Sequence, residues 1–220
     1  MGPLTEGNTP LFDRLADRYD AWFEGDEGRL IFQIELEAIR AAAQTAPRPW
    51  LEVGVGSGRF AAALGGIDVG IDPSERLLEM AYSRGVNTVK GYGERLPFGD
   101  NSFGAVFLIV TICFVDDPMP VLQECRRVLH RDGKLIIGLV PRESPWGKKY
   151  AAKGMHGHPF YSHAHFYTVS QVESMLNEAG FTLEGCLSTL FQPPDRVVQP
   201  ELPRPGCTGA AGFVVFRARA

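Results

Sequence analysis

The stretch WLEVGVGSGRFAAALGGIDVGID, residues 50–72, holds the spacing most suggestive of chemistry. An apolar run contains Glu52, glycines follow at positions 54, 56 and 58, and a second apolar run ends in Asp72. Glycine lets a backbone pass close to a ligand, and a carboxylate closing the next strand can accept hydrogen bonds from two ribose hydroxyls. The spacing therefore points to a nucleotide-like ligand, but the glycines alone do not choose one. Gly56, Gly58 and Ala61 satisfy the loose G-x-G-x-x-A form of a dinucleotide fingerprint. Glu52, in E-x-G-x-G-x-G, suits a ligand bearing an ammonium group and sits badly beside a pyrophosphate.

Other reactive side chains are more scattered. Cysteines at 113, 125, 186 and 207 are too widely spaced for a C-x-x-C motif and are expected to be ordinary reduced thiols. Histidines 156, 158, 163 and 165 cluster in HGHPFYSHAH without the spacing of a metal site, so no metal is expected. His163 and His165 remain candidates for a general base. Asp116 and Asp117 precede Pro118, a position better explained as a helix cap than as a metal site.

The elements that must position these residues alternate. Leu11, Leu15, Tyr19 and Trp22 recur at helical spacing over 9–24, and Ile31, Ile34, Ala38 and Ala42 do so over 27–44. Strands are predicted at 50–53, 67–71, 87–91, 103–110 and 133–140, with helices at 57–64, 74–84 and 118–130 between them. Such alternation means a parallel sheet covered on both faces. Residues 141–168 show little periodicity and read as a lid loop. Thr168 and Gln171 form a capping-box pair for a helix to about 179, and strands at 181–191 and 212–218 form an antiparallel pair. The proline-rich joint between them reads as a surface excursion.

Composition bounds the partners. With 22 Lys and Arg against 26 Asp and Glu, a net charge of −4 and no basic stripe, the chain is not built to neutralise nucleic-acid phosphates. No window approaches the roughly 20 apolar residues of a membrane span. No basic-then-apolar leader is evident, and the cytoplasm is the expected location. One domain is expected over 1–220, divided into a helical cap (1–46), a ligand-binding core (47–140), the lid (141–168) and a C-terminal helix with a strand pair (169–220).

Three features now weigh against a dinucleotide. Glu52 is one. The step of 14 positions from Gly58 to Asp72 leaves a helix of barely two turns. An added antiparallel strand pair is not required by a dinucleotide-binding half. Together they favour S-adenosylmethionine.

In order along the chain, LEVGVGSGRF, GIDPSERLLEMA, GERLPFGDNSF, VDDPMPVLQECRRVLHRDGKLIIG and FYTVSQVESMLNEAGF resemble the successive motifs of class I S-adenosylmethionine-dependent methyltransferases. The branch they most resemble includes the ubiquinone and menaquinone biosynthesis enzymes. The resemblance implies a Rossmann-like α/β fold with a seven-stranded sheet whose last strand is antiparallel. It implies that Gly54, Gly56 and Gly58 pass close to the cofactor and that Asp72 and Pro73 lie at its ribose. Glu52, Val110 and Thr111 then serve its amino-acid end. Gly93 and Glu94 fall at its adenine, where relatives commonly read G-D-A-E and this chain has Tyr92 for the Asp.

The implied activity is methyl transfer to a small molecule. Tyr19, Trp22, Phe114, Arg142, Tyr161 and His163 are the candidates for the acceptor side, and Tyr19, Cys113, His163 and His165 for proton handling. Two alternatives stand beside it: a nicotinamide-dependent oxidoreductase, and a non-catalytic regulator that binds the cofactor or S-adenosylhomocysteine.

Overall fold

The computed structural model describes residues 9–220. β1 (Trp50–Val53), β2 (Val69–Asp72), β3 (Thr88–Lys90), β4 (Phe103–Ile109) and β5 (Leu129–Leu139) run parallel. β6 (Thr182–Thr189), β7 (Arg204–Pro205) and β8 (Phe213–Arg219) add antiparallel pairings. The sheet order is β3-β2-β1-β4-β5-β8-β6-β7. The chain moves outward from β1 in one direction to β3, then crosses to β4 on the other side. That reversal opens a crevice at the C-terminal ends of β1 and β4, where a doubly wound sheet takes its ligand.

β4 shows why the sheet is central, since all seven of its residues are buried. Val106 and Leu108 enter one core, with Val121, Leu122 and Cys125 of α6 (Pro118–Val128) and Val172 and Leu176 of α8 (Val169–Glu178). Ala105, Phe107 and Ile109 enter the other, with Ile31, Ile34 and Ile39 of α3 (Asp26–Ala43). Period-2 alternation in the strand thus meets two helical faces, one on each side. Asp117 caps α6 by accepting from the Met119 N–H, and Thr168 with Gln171 makes the full capping box of α8.

Four expectations change. The sheet has eight strands, not seven, because the proline-rich joint swings back and lays Arg204–Pro205 against Leu187 and Ser188 of β6. That pairing also brings Cys186 and Cys207 together as a disulfide, with Cα atoms 5.1 Å apart, so these two thiols are not free. Cys113 and Cys125 are free and buried. The helix predicted over 9–24 is broken into α1 (Thr9–Arg14), α2 (Ala16–Ala21) and a 3₁₀ turn at Trp22–Glu24. The lid is not a loop throughout, since it holds α7 (Pro145–Met155), whose start is capped by Ser144 accepting from Gly147 N. A side chain at Gly154 would collide with the Tyr161 carbonyl, so this glycine lets the rest of the lid lie directly on α7.

The break at Leu15 has a structural use. Asp13 accepts from Ser74 Oγ at 2.6 Å, and Asp20 is gripped by Arg59 at 2.7 and 2.8 Å and by Arg84 at 2.7 Å. Arg59 belongs to α4 (Arg59–Leu64), and Arg84 caps the end of α5 (Glu75–Ser83). Burial alone would raise the Asp20 pKa, but the hydrogen bonds from Arg59, Ser57 and Arg84 hold it well below the usual carboxylate range. The clamp therefore survives mild acid and ties the N-terminal helices across the crevice. Among the described residues no helix is long and apolar enough to cross a membrane.

Asp20→Ala leaves two guanidinium groups without their shared partner, at a cost of about 2 kcal/mol. Faster amide hydrogen exchange over 9–24, with the sheet core unchanged, is the expected outcome. Unchanged exchange there would show that the cap docks by its rings alone.

Candidate functional site

The site begins at the end of β1. Gly54, Gly56 and Gly58 have φ of +73°, +53° and +76°, so the chain leaves the strand through three left-handed steps that favour glycine. Gly54 N and Val55 N donate to Ile71 O, which folds the turn back over β2. The space a Gly54 Cβ would need is filled by the Thr111 side chain, whose hydroxyl donates to Val53 O at 2.9 Å.

Asp72, 8% exposed, accepts from Gly56 N through one carboxylate oxygen and from Ser74 N through the other, both at 2.9 Å. Each oxygen keeps a lone pair for a further donor. Burial raises its pKa to about 6 despite those two hydrogen bonds. Glu52 lies beneath the turn, 2% exposed, with Oε2 lacking any partner among the described residues. Burial, then the neighbouring Asp72 charge, raises its pKa well above the usual range. An orphaned acid below a glycine turn fits a ligand that brings donors or positive charge.

Two cavities meet here. The first is a cleft of about 130 Å³ lined by Gly54, Gly56, Asp72, Pro73, Gly93, Glu94, Val110 and Thr111, with Tyr92 also on its wall. Gly58 is not in it. A Cβ on Gly58 would run into the Ala81 backbone at 2.8 Å, so its role is close packing of α4 against α5. The dinucleotide fingerprint thus loses its second glycine as a ligand contact. Glu52 also lies outside the lining and reaches the cleft through its field rather than by contact.

The second cavity is larger, about 480 Å³, and largely aromatic. Tyr19, Ile109, Val110 and Phe114 line both spaces and form the wall between them. Val110 sits at φ +54°, a strained conformation for a β-branched residue, and its N–H donates to Gly138 O at 2.8 Å. Above the wall Phe12 packs on Phe114 (5.1 Å), Tyr19 (5.7 Å) and Phe160 (5.5 Å).

The structure sorts the acceptor-side candidates. Tyr19, Trp22, Phe114 and Tyr161 line the second cavity, as does Cys113. Arg142, His163 and His165 line neither cavity, and all three are exposed. Both histidines of the lid are exposed, while the His165 backbone N–H is bound to Cys113 O at 2.7 Å. His158, from the same cluster, faces inward and stacks on Tyr161 at 4.3 Å. Burial and the nearby Lys153 and Arg18 charges lower its pKa, leaving a neutral ring. Burial pushes the Cys113 thiol up to about 12 and raises the Tyr19 phenol further, so neither is a base near neutral pH.

Glu35 was missed. It lies on the inward stripe of α3 between Ile31 and Ala38, is 7% exposed and lines the second cavity. A carboxylate interrupting an apolar stripe was the available signal. Burial raises its pKa to about 8.

A family described as the methyltransferase domain matches residues 51–137. A Methanocaldococcus jannaschii protein is 36% identical over 208 residues, 94% of this chain and 98% of its own. The demethylmenaquinone methyltransferase of Thermotoga maritima is 28% identical over 200 residues, 78% of this chain and 86% of its own. A T. maritima crystal structure, described as an S-adenosylmethionine-dependent methyltransferase and possible histamine N-methyltransferase, superimposes with a TM-score of 0.88. It is 36% identical and covers 96% of this chain and 98% of its own. The chain belongs to the class I S-adenosylmethionine-dependent methyltransferases. It is an enzyme with S-adenosylmethionine as cofactor, which sets aside the nicotinamide and regulator alternatives.

The buried Glu35 carboxyl gives a pH signature. Its folded pKa of about 8 exceeds its ordinary 4.5, so its contribution to stability is full below pH 4.5 and is lost as pH rises through about 8. The loss is at most roughly 5 kcal/mol. Urea unfolding between pH 5 and 8.5 is expected to show this fall, reduced in Glu35→Gln, with the Asp72 and Glu52 contributions retained. An equal slope in both proteins would contradict the assignment.

Proposed function

We propose that the enzyme methylates a small molecule held in the aromatic cavity, with the cofactor in the adjoining cleft and the two meeting at the wall of Tyr19, Val110 and Phe114. The observation that carries this reading is that two cavities of different chemistry share one wall. When bound, the cofactor supplies an electrophilic methyl on a sulfonium centre. Asp72 takes its ribose hydroxyls, and Gly54, Gly56 and the strained Val110 bring backbone groups to its amino-acid end. Glu52 offsets its positive charge from beneath, and Tyr92, Gly93 and Glu94 border its adenine.

The protein's remaining work is alignment and exclusion of water. The Phe12–Tyr19–Phe160 roof covers the junction with apolar rings, and the Tyr19 hydroxyl stays protonated, able to donate or accept a hydrogen bond but not to act as a base. His158 is the residue placed to take a proton from an acceptor that needs one. The enzyme works as one unit over 1–220 and in the cytoplasm.

Calorimetry with S-adenosylhomocysteine, followed by transfer of labelled methyl to a panel of thiols, phenols, amines and quinones, tests the reading. S-adenosylhomocysteine binding without any labelled product from the panel would count against a small acceptor. Asp72→Asn is expected to weaken S-adenosylhomocysteine binding by about 2 kcal/mol or more, roughly 30-fold. In the parent enzyme the same affinity falls as pH drops through about 6, where Asp72 takes up a proton.

A further inference from the structure

The proposed reading leaves the acceptor unnamed, and the inference that follows rests on that reading and narrows the acceptor. Glu35 is more than nine-tenths buried, lines the aromatic cavity and has no hydrogen-bond or ion-pair partner among the described residues. A buried, unpaired carboxyl is costly, and stays in place most usefully when something else completes it. The same cavity is lined by the rings of Phe23, Phe60, Tyr150, Tyr161 and Phe166. Aromatic rings attract a cation through their quadrupoles, and a carboxylate adds the opposite charge. The cavity's own cations do not satisfy Glu35. Arg18 and Lys153 are exposed, and Lys153 lies over the Tyr150 ring at 6.0 Å rather than in an ion pair with Glu35.

From the unpaired Glu35 carboxyl set among these rings, we propose that the acceptor carries a basic nitrogen, which binds as an organic ammonium at Glu35. Glu35 lines the aromatic cavity alone and is not one of the four residues of the wall shared with the cofactor cleft, so the anchor is set apart from that wall. Glu35 is a positioning residue: it holds the cationic end while another atom of the acceptor faces the wall.

The test compares three probes of one shape, 2-phenylethylammonium, 2-phenylethanol and phenylacetate, by calorimetry on the full chain saturated with S-adenosylhomocysteine. The parent protein is expected to bind the ammonium at least 10-fold more tightly than the alcohol, and the carboxylate least. Glu35→Gln, similar in shape and without the charge, is expected to erase the difference between ammonium and alcohol while S-adenosylhomocysteine affinity stays unchanged. For any amine that the panel shows to be methylated, the variant raises KM at least 10-fold and changes kcat less than 3-fold.

Equal binding of alcohol and ammonium by the parent, no measurable ammonium binding, or a preference that persists in Glu35→Gln would overturn the proposal. The ranking in the parent protein decides the matter even if the variant fails to fold. Absence of S-adenosylhomocysteine binding together with a retained ammonium preference would sink the methyl-transfer reading and leave the anchor standing.

Discussion

The two hydrogen bonds that Asp72 accepts from Gly56 N and Ser74 N hold the rest of the site in place. They fasten the glycine turn after β1 to the start of the helix after β2, across the point where the sheet order reverses. Without them the left-handed turn would have no partner on the ligand side, and the crevice between β1 and β4 would lose its floor. The same bonds leave the carboxylate buried, and burial is what raises its pKa to about 6. Glu52 below it is raised for the same reason, so one acid on the cleft wall and one buried beneath it favour an incoming positive charge.

A second layer of the architecture depends on the N-terminal helices. Asp20 between Arg59 and Arg84 places Tyr19 on the wall between cleft and cavity, and the break at Leu15 lets Asp13 reach Ser74. The wall is completed from the sheet side by Val110, whose left-handed conformation marks the end of β4. Aromatic contacts from Phe12 and Phe160 close the roof by edge and face packing rather than by hydrogen bonds, which suits a cover over an apolar space.

Much of the sheet and of the cleft beside the glycine turn was legible because the signals are local. Alternation along β4, the Asp117 and Thr168 caps, and the glycines between two strands each act over a few residues, and the structure places Gly54, Gly56, Asp72 and Gly93 on one cleft. Gly58 packs against Ala81 instead of lining the cleft, and a glycine that admits a ligand and one that admits a neighbouring helix look the same in sequence. The aromatic cavity was much less legible. His163 and His165 were chosen for their type, but both are exposed and line neither cavity, while His158 of the same cluster lies inside.

By itself, the sequence determined the parallel sheet, its antiparallel finish, the glycine turn and the acid that closes the second strand. Period, capping and left-handed φ are properties of short stretches of chain. Only the tertiary structure decided that Cys186 meets Cys207, that a two-residue strand forms on the β6 edge, and that Glu35 is a buried acid in an aromatic cavity. Each depends on residues far apart in the chain being brought together. The cost of burying a carboxyl is set by what surrounds it, and helical spacing along α3 does not contain that information.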